Sequence, residues 1–254
     1  MAAKQKIDHA IWAIVPAAGI GKRMQSSIPK QYLLLNDRPV IEHTLNALLQ
    51  NENITGMVIA LRADDEYWPD IELPSKKPVL QTQGGKERAD SVLNALNSLF
   101  QTEQFDENLD WVMVHDAVRP CLRQEDITKL VVEVGNDSNG GLLALPVRDT
   151  MKRQRVSDSA LSTSMPVTTK PATVATTIDR ENLWHALTPQ YFPAKSLKNA
   201  LEKARLDGLM ITDESSAMEL AGYAPRLVKG NEDNIKITRA DDLRLASLYL
   251  NSQK

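Results

Sequence analysis

Three cations follow a short glycine-bearing stretch near the start of the chain: Lys22, Arg23 and, beyond Pro29, Lys30. Ala17, Ala18, Gly19 and Gly21 precede them, small residues that let backbone amides approach a ligand closely. Exposed amides followed by this much positive charge suit a strongly anionic group such as a polyphosphate, although plain turn chemistry uses the same glycines. A second pair, Gly84-Gly85, leads into Lys86, Arg88 and Ser91. It reads either as a tight turn with a salt-bridged helix start or as a nucleobase pocket built from backbone groups. His115-Asp116-Ala117-Val118-Arg119-Pro120 puts an acid and a cation at a strand end, as a structural ion pair or as partners for polyol hydroxyls or a metal–phosphate complex. In the second half, Thr150 sits among Arg148, Asp149, Lys152 and Arg153, Arg180 precedes a segment containing Thr188, and Thr212-Asp213-Glu214 opens a helix. Lys236 stands alone in Asn234-Ile235-Lys236-Ile237-Thr238, where snorkelling from an edge strand is the competing reading.

Other chemistries fit less well. A dinucleotide fingerprint needs a small third residue, and Met24 occupies that position, obstructing close helix–strand packing. The Walker spacing is absent. No Ser-His-Asp or Cys-His arrangement is visible, His185 reads as a packed core residue, and Cys121 beside Pro120 reads as inert. Lys22 reads as a solvated bystander beside Arg23 and Lys30.

Short apolar runs must carry these loops. Ile11–Val15, Gly56–Leu61, Pro78–Gln81, Trp111–His115, Leu142–Pro146 and Arg226–Lys229 read as strands. Helical spacing appears over Val40–Leu49, Val92–Phe100, Gln124–Val134 (closed by Gly135), Ser196–Arg205 and Asp213–Ala221, and from a capping box at Thr238–Asp241 to about Leu250. This alternation predicts an α/β fold, a mostly parallel sheet flanked by helices on both faces. Ligands in such sheets lie beyond the C-terminal strand ends, where the loops after Val15, Gln81 and His115 meet. The Ser/Thr/Val-rich region 151–178 breaks the pattern and predicts a protruding β-arm, suited to pairing with a second subunit in a homodimer.

With 254 residues, 42% hydrophobic and 25% charged, the chain fits one α/β domain with a small appendage. A net charge of -3 argues against a nucleic-acid partner. One cysteine, a polar N-terminus and no apolar run of spanning length point to a cytoplasmic protein with no membrane partner.

The ordered strings PAAGIGKRM, PKQY, GGKERADSV, HDAVRP, PVRDTMKR, DRENLWHALTPQ, TDESSAMEL and NIKIT resemble the 2-C-methyl-D-erythritol 4-phosphate cytidylyltransferase family of the non-mevalonate isoprenoid pathway. The resemblance implies a single Rossmann-like domain of nucleotide-diphospho-sugar transferase type over 1–254, with 151–178 as the dimerisation arm. It implies CTP and methylerythritol phosphate as substrates, with Mg²⁺. Arg23 and Lys30 would stabilise the transition state at the α-phosphate, and Arg180 and Lys236 would position methylerythritol phosphate. Ala17, Ala18, Gly19, Gly85, Ser91 and Ala117 would line the CTP site, with Asp116, Arg119, Thr150, Thr188 and Thr212 around the polyol and phosphates. Some polyol contacts are expected from the arm of the second subunit. A cytidylyltransferase acting on another polyol phosphate, such as ribitol 5-phosphate, is the nearest alternative; an NAD-dependent oxidoreductase and a non-catalytic nucleotide-binding module are the more distant ones.

Overall fold

A computed structural model describes residues 7–19, 28–155 and 171–253. Arg23, Lys22 and Met24 lie outside the described residues, as does the part of the expected arm from 156 to 170. Two compact units emerge, one formed by 1–144 with 186–254 and the other by 145–185.

The first unit is built around β1, Ile11–Pro16, whose first five residues are all buried. A strand apolar on both faces belongs in the middle of a covered parallel sheet. After the hairpin β2 (Leu34–Leu35) and β3 (Arg38–Pro39) comes α1, Val40–Leu49. It is followed by β4 (Ile54–Leu61), β5 (Val79–Gln83), α2 (Arg88–Leu99) and β6 (Trp111–Val114). β1 pairs in parallel with β4 on one side and β6 on the other, Ile14 facing Val58 and Val114. α2 starts one turn earlier than the sequence suggested, because the Asp90 carboxylate accepts the Glu87 amide at 3.1 Å and extends the helix over Arg88. α3, Gln124–Val134, ends where Gly135 turns to a φ of 58°, a conformation open to glycine.

The chain leaves this unit in β7, Gly141–Pro146, and returns in β10, Trp184–Pro193. β10 was not anticipated: Pro189 within it reads as a strand breaker, yet the strand runs antiparallel to β6 with Gln190 opposite Val114. The sheet order is β11-β7-β10-β6-β1-β4-β5. Helices α4 (Ala194–Leu206) and α5 (Glu214–Leu220), strand β11 (Arg226–Lys229) and helix α6 (Ala240–Ser252) complete the unit. The capping carboxylate of α6 is Asp242 rather than Asp241; it accepts from the amides of Thr238 and Arg239, both at 2.8 Å. Trp12, Val92, Leu96, Val114, Phe192 and Leu197 share a core in which sheet residues meet α2 and α4. A second cluster joins Val40, Val118, Cys121, Ile237 and Ala246.

The second unit contains β8 (Met151–Gln154) and β9 (Val174–Ile178), an antiparallel pair with Met151 opposite Ile178. Two paired strands were expected in this region, but only β9 is β-branched; β8, Met-Lys-Arg-Gln, carries no β-branched residue. His185 is exposed, not a packed core residue, because burial along β10 begins only at Leu187. Among the described residues, no helix is long and apolar enough to cross a membrane.

Candidate active site

The C-terminal ends of β1, β5 and β6 converge on a pocket lined by residues that include Ala18, Gly19, Lys30, Gly85, Asp116 and Lys236. The β1 end is held from both sides. The Ala17 amide donates to Ala60 O at 2.8 Å, and the buried Gln31 side chain donates to Ala17 O at 2.8 Å. Gln31 follows Lys30 in a single 3-10 turn, so the bond that fixes the first glycine loop also fixes the base of the lysine. The Lys30 ammonium reaches Ile237 O at 3.4 Å, towards the segment that carries Lys236.

The second glycine loop packs directly on the first. A Cβ on Gly84 would lie 2.3 Å from the Ala18 Cβ, and one on Gly85 would lie 2.2 Å from the Asp90 Cβ. Ser91 Oγ accepts the Gly85 amide at 3.0 Å and donates to Glu87 O at 3.2 Å, curling the loop onto the start of α2. Gly19 differs, since among the described residues a Cβ there meets nothing within 4 Å. Gly19→Ala is therefore expected to leave thermal stability within about 0.5 kcal/mol. Gly85→Ala, by contrast, is expected to cost about 1–3 kcal/mol through overpacking against Asp90. Calorimetry on the two variants checks the contrast.

Asp116 is the hub of the pocket floor. Its Oδ1 accepts from Arg88 Nε at 3.0 Å, and its Oδ2 accepts from Arg119 Nε at 3.2 Å and Lys236 Nζ at 2.9 Å. Burial favours the neutral acid, but Arg88, Lys236 and Arg119 outweigh it and hold the carboxyl well below the usual carboxylate range. Lys236 occupies an irregular segment and not an edge strand, so snorkelling does not explain it. Its neighbour Ile237 is fully buried in the smaller core cluster and donates its amide to Val118 O at 2.9 Å. That apolar anchor fixes the segment while Lys236 itself meets Asp116.

Behind Asp116 lies a directional chain of hydrogen bonds. The Asp116 amide donates to Thr188 Oγ1 at 3.1 Å, and Thr188 Oγ1 donates to His115 Nδ1 at 2.9 Å. His115 Nε2 donates to Arg119 O at 3.2 Å, which fixes a neutral tautomer. Arg119 Nη1 donates to Asn234 O at 2.7 Å, and Asn234 Nδ2 of the side chain donates to Thr188 O at 2.8 Å. Thr188 and Arg119 are buried here and support Asp116 from behind.

His115 is fully buried, and desolvation is the largest influence pushing its pKa from 6.5 down to about 4. Between those values the unfolded chain binds a proton that the folded one does not, so stability falls as pH drops from 6.5 towards 4. This contributes about 2 kcal/mol of lost stability between pH 7.5 and pH 5. Urea unfolding at the two pH values should show it, and His115→Gln should lose this component of the slope.

The site residues identified from the sequence thus divide. Ala17, Ala18, Gly19, Lys30, Gly85, Ser91, Asp116, Ala117 and Lys236 line one pocket. Thr212 lies exposed just before the Asp213 cap of α5, and its amide donates to Ser216 Oγ at 3.2 Å. Thr150 and Arg180 belong to the second unit, where Arg180 Nη1 donates to Arg148 O. Arg88, Glu214, Gln31 and Asn234 were not among the site residues that the family resemblance implied. All four needed a partner distant in sequence or a backbone carbonyl to reveal them, which spacing does not encode. Cys121 is buried, and desolvation pushes its thiol up to about 12, so it stays protonated and unreactive.

Residues 11–252 match the family model described as 2-C-methyl-D-erythritol 4-phosphate cytidylyltransferase. A protein of that name from Aliivibrio fischeri strain MJ11 is 49% identical over 245 residues, covering 96% of this chain and 95% of the relative. The corresponding protein of Shewanella piezotolerans is 47% identical over 242 residues, covering 95% of this chain and 96% of its own. The crystal structure of Francisella tularensis 2-C-methyl-D-erythritol 4-phosphate cytidylyltransferase superposes with a TM-score of 0.75 at 32% identity, covering 94% of this chain and 99% of that one.

Proposed function

Because the chain belongs to the 2-C-methyl-D-erythritol 4-phosphate cytidylyltransferase family, we propose the following division of labour among its residues in that family's reaction. The reaction transfers CMP from CTP to 2-C-methyl-D-erythritol 4-phosphate, giving 4-diphosphocytidyl-2-C-methyl-D-erythritol and pyrophosphate on the non-mevalonate route to isoprenoid precursors. The observation that carries the assignment is the convergence of Lys30 and Lys236 on a pocket walled by the two glycine loops.

The nucleophile is a phosphate monoester, whose second pKa of about 6 leaves it largely ionised at neutral pH. No side chain has to remove a proton, which suits a pocket whose His115 is buried, neutral and already bonded at both nitrogens. The barrier is repulsion between a dianion and a triphosphate, so catalysis rests on alignment and charge neutralisation. Lys30 and Arg23 neutralise the α-phosphate as it becomes five-coordinate. Ala17, Ala18, Gly19, Gly85, Ser91 and Ala117 shape the CTP side. Lys236 takes the phosphate of the acceptor, with Asp116 and Thr212 at its hydroxyls; Arg180 and Thr150 are assigned to acceptor recognition by the family resemblance alone.

Both oxygens of Asp116 are already held by cations. Mg²⁺ accordingly fits as an ion carried on the triphosphate oxygens, its usual mode of binding, rather than in a protein cage. When bound it neutralises phosphate charge. The solitary thiol supports a cytoplasmic setting. β8 and β9 form a two-stranded ribbon with Met151 and Val174 exposed, and such a ribbon is marginal alone. This supports a homodimer formed through the arm. Light scattering is expected to give twice the chain mass, and Val174→Asp to shift it towards the monomer.

The reading is tested by pyrophosphate release with each nucleoside triphosphate, offering methylerythritol phosphate or ribitol 5-phosphate as acceptor. CTP with methylerythritol phosphate should be the productive pair. Equal efficiency with ribitol 5-phosphate would overturn the acceptor assignment, and no release with any pair would overturn the activity.

A further inference from the structure

Arg88 is the first residue of α2, where a positive charge opposes the helix dipole. It is nevertheless held there by two acids: its Nε donates to Asp116 at 3.0 Å and its Nη1 to Glu214 at 2.7 Å. Glu214 is fully buried, and its other oxygen, Oε2, has no hydrogen-bond partner among the described residues. A buried carboxylate at this price in desolvation must be rigidly placed to contribute. Glu214 is so placed, because both its neighbours are pinned to β10. Gln190 donates to Asp213 Oδ2 at 2.9 Å and accepts the Ser215 amide at 2.7 Å, while Asp213 Oδ1 caps α5 through the Ser216 amide at 2.9 Å.

We propose that Glu214, acting through Arg88, is a positioning residue for Lys236. A carboxylate's terminal torsion is broad, so the plane of Asp116 is set by what bonds to it. Glu214 fixes the Arg88 guanidinium, Arg88 occupies Oδ1, and Oδ2 is thereby turned to Arg119 and Lys236. The ammonium that meets the acceptor phosphate is aimed by a carboxylate it does not touch. Glu214 also balances charge, since without it three cations share the single carboxylate of Asp116. This rests on the cytidylyltransferase reading and goes beyond it, adding α5 and β10 to the parts of the fold that set the acceptor site.

The test is a double-mutant cycle in the full-length chain, measuring kcat/KM for methylerythritol phosphate and the KM for CTP. Glu214→Gln is expected to lower kcat/KM for the acceptor about tenfold while leaving the CTP KM within about twofold. In a Lys236→Ala background the same change should cost less than about twofold, because the residue being positioned is gone. An equal loss in both backgrounds, or no loss in the first, would overturn the proposal. Should Glu214→Gln fail to fold, as melting will show, Arg88→Lys reads the same link from its partly exposed end, since a lysine keeps the charge but cannot bridge two acids. Inactive wild-type enzyme would instead refute the reaction assignment, so the two failures are distinguishable.

Discussion

Lys30→Ala is expected to slow CMP transfer by roughly 10²–10³ while changing CTP affinity only a few-fold. Lys30 is mounted on a turn anchored through Gln31 to the end of β1, so its side chain springs from a fixed backbone beside the pocket. In the ground state the triphosphate carries its charge on all its oxygens and meets several amides and cations. As the acceptor phosphate attacks, negative charge gathers on the oxygens around the α-phosphorus, where one correctly placed cation matters more than in the ground state. Only interactions that strengthen on the way to the transition state raise kcat. Removal should therefore appear in single-turnover transfer rather than in equilibrium CTP binding. Lys30→Arg is expected to restore only part of the rate, since a planar fork replaces a compact charge. A variant that turns over near normally, or that loses CTP binding in proportion to rate, would remove Lys30 from this role.

How far the sequence carries the fold depends on whether a feature is local. β1, α1, α3 and β11 were readable at their observed bounds or within a residue because apolar period, a Pro or Gly boundary and charge all agree over a few positions. β10 was not, because Pro189 contradicts the strand locally and only pairing with β6, more than 70 residues earlier by number, sustains it. The same division runs through the site. Ala17 to Gly19, Lys30, Gly85 and Asp116 are legible as loops at strand ends, and the parallel α/β pattern already brings those ends together. The side chains behind them are not legible. Glu214 looks like an acid placed for the dipole of α5, and Arg88 like the start of a salt-bridged helix. Each reading is locally sufficient, and their contact at 2.7 Å spans 126 residues. Thr188 likewise reads as a ligand-facing hydroxyl, whereas its two hydrogen bonds are already committed to the Asp116 amide and the His115 ring.

Asp116→Asn is expected to show how much of the fold depends on the same charge that shapes the site. The substitution keeps the shape but replaces an anion with a neutral amide facing Arg88, Arg119 and Lys236. Breaking a buried pair from one side leaves the other charges uncompensated, which costs about 3–5 kcal/mol. For a chain of this size that corresponds to a melting temperature lower by roughly 10 °C. Turnover should fall as well, because Lys236 loses the acceptor that aims it. The sign of the pH dependence is distinctive. A carboxyl whose folded pKa is depressed contributes fully above its unfolded value and loses that contribution only as pH falls through the folded one. The stability gap between wild type and Asp116→Asn should thus be the same at pH 8 and pH 5 and should close only in strong acid, near and below pH ~4. The His115 effect, by contrast, lowers both proteins together between pH 6.5 and about 4. Urea titrations of the two proteins at pH 8, 6.5 and 5 separate these contributions. A gap that widens between pH 8 and pH 5 would mean that Asp116 binds a proton more readily folded than unfolded, with a raised pKa, and that the three cations do not act on it as their distances indicate.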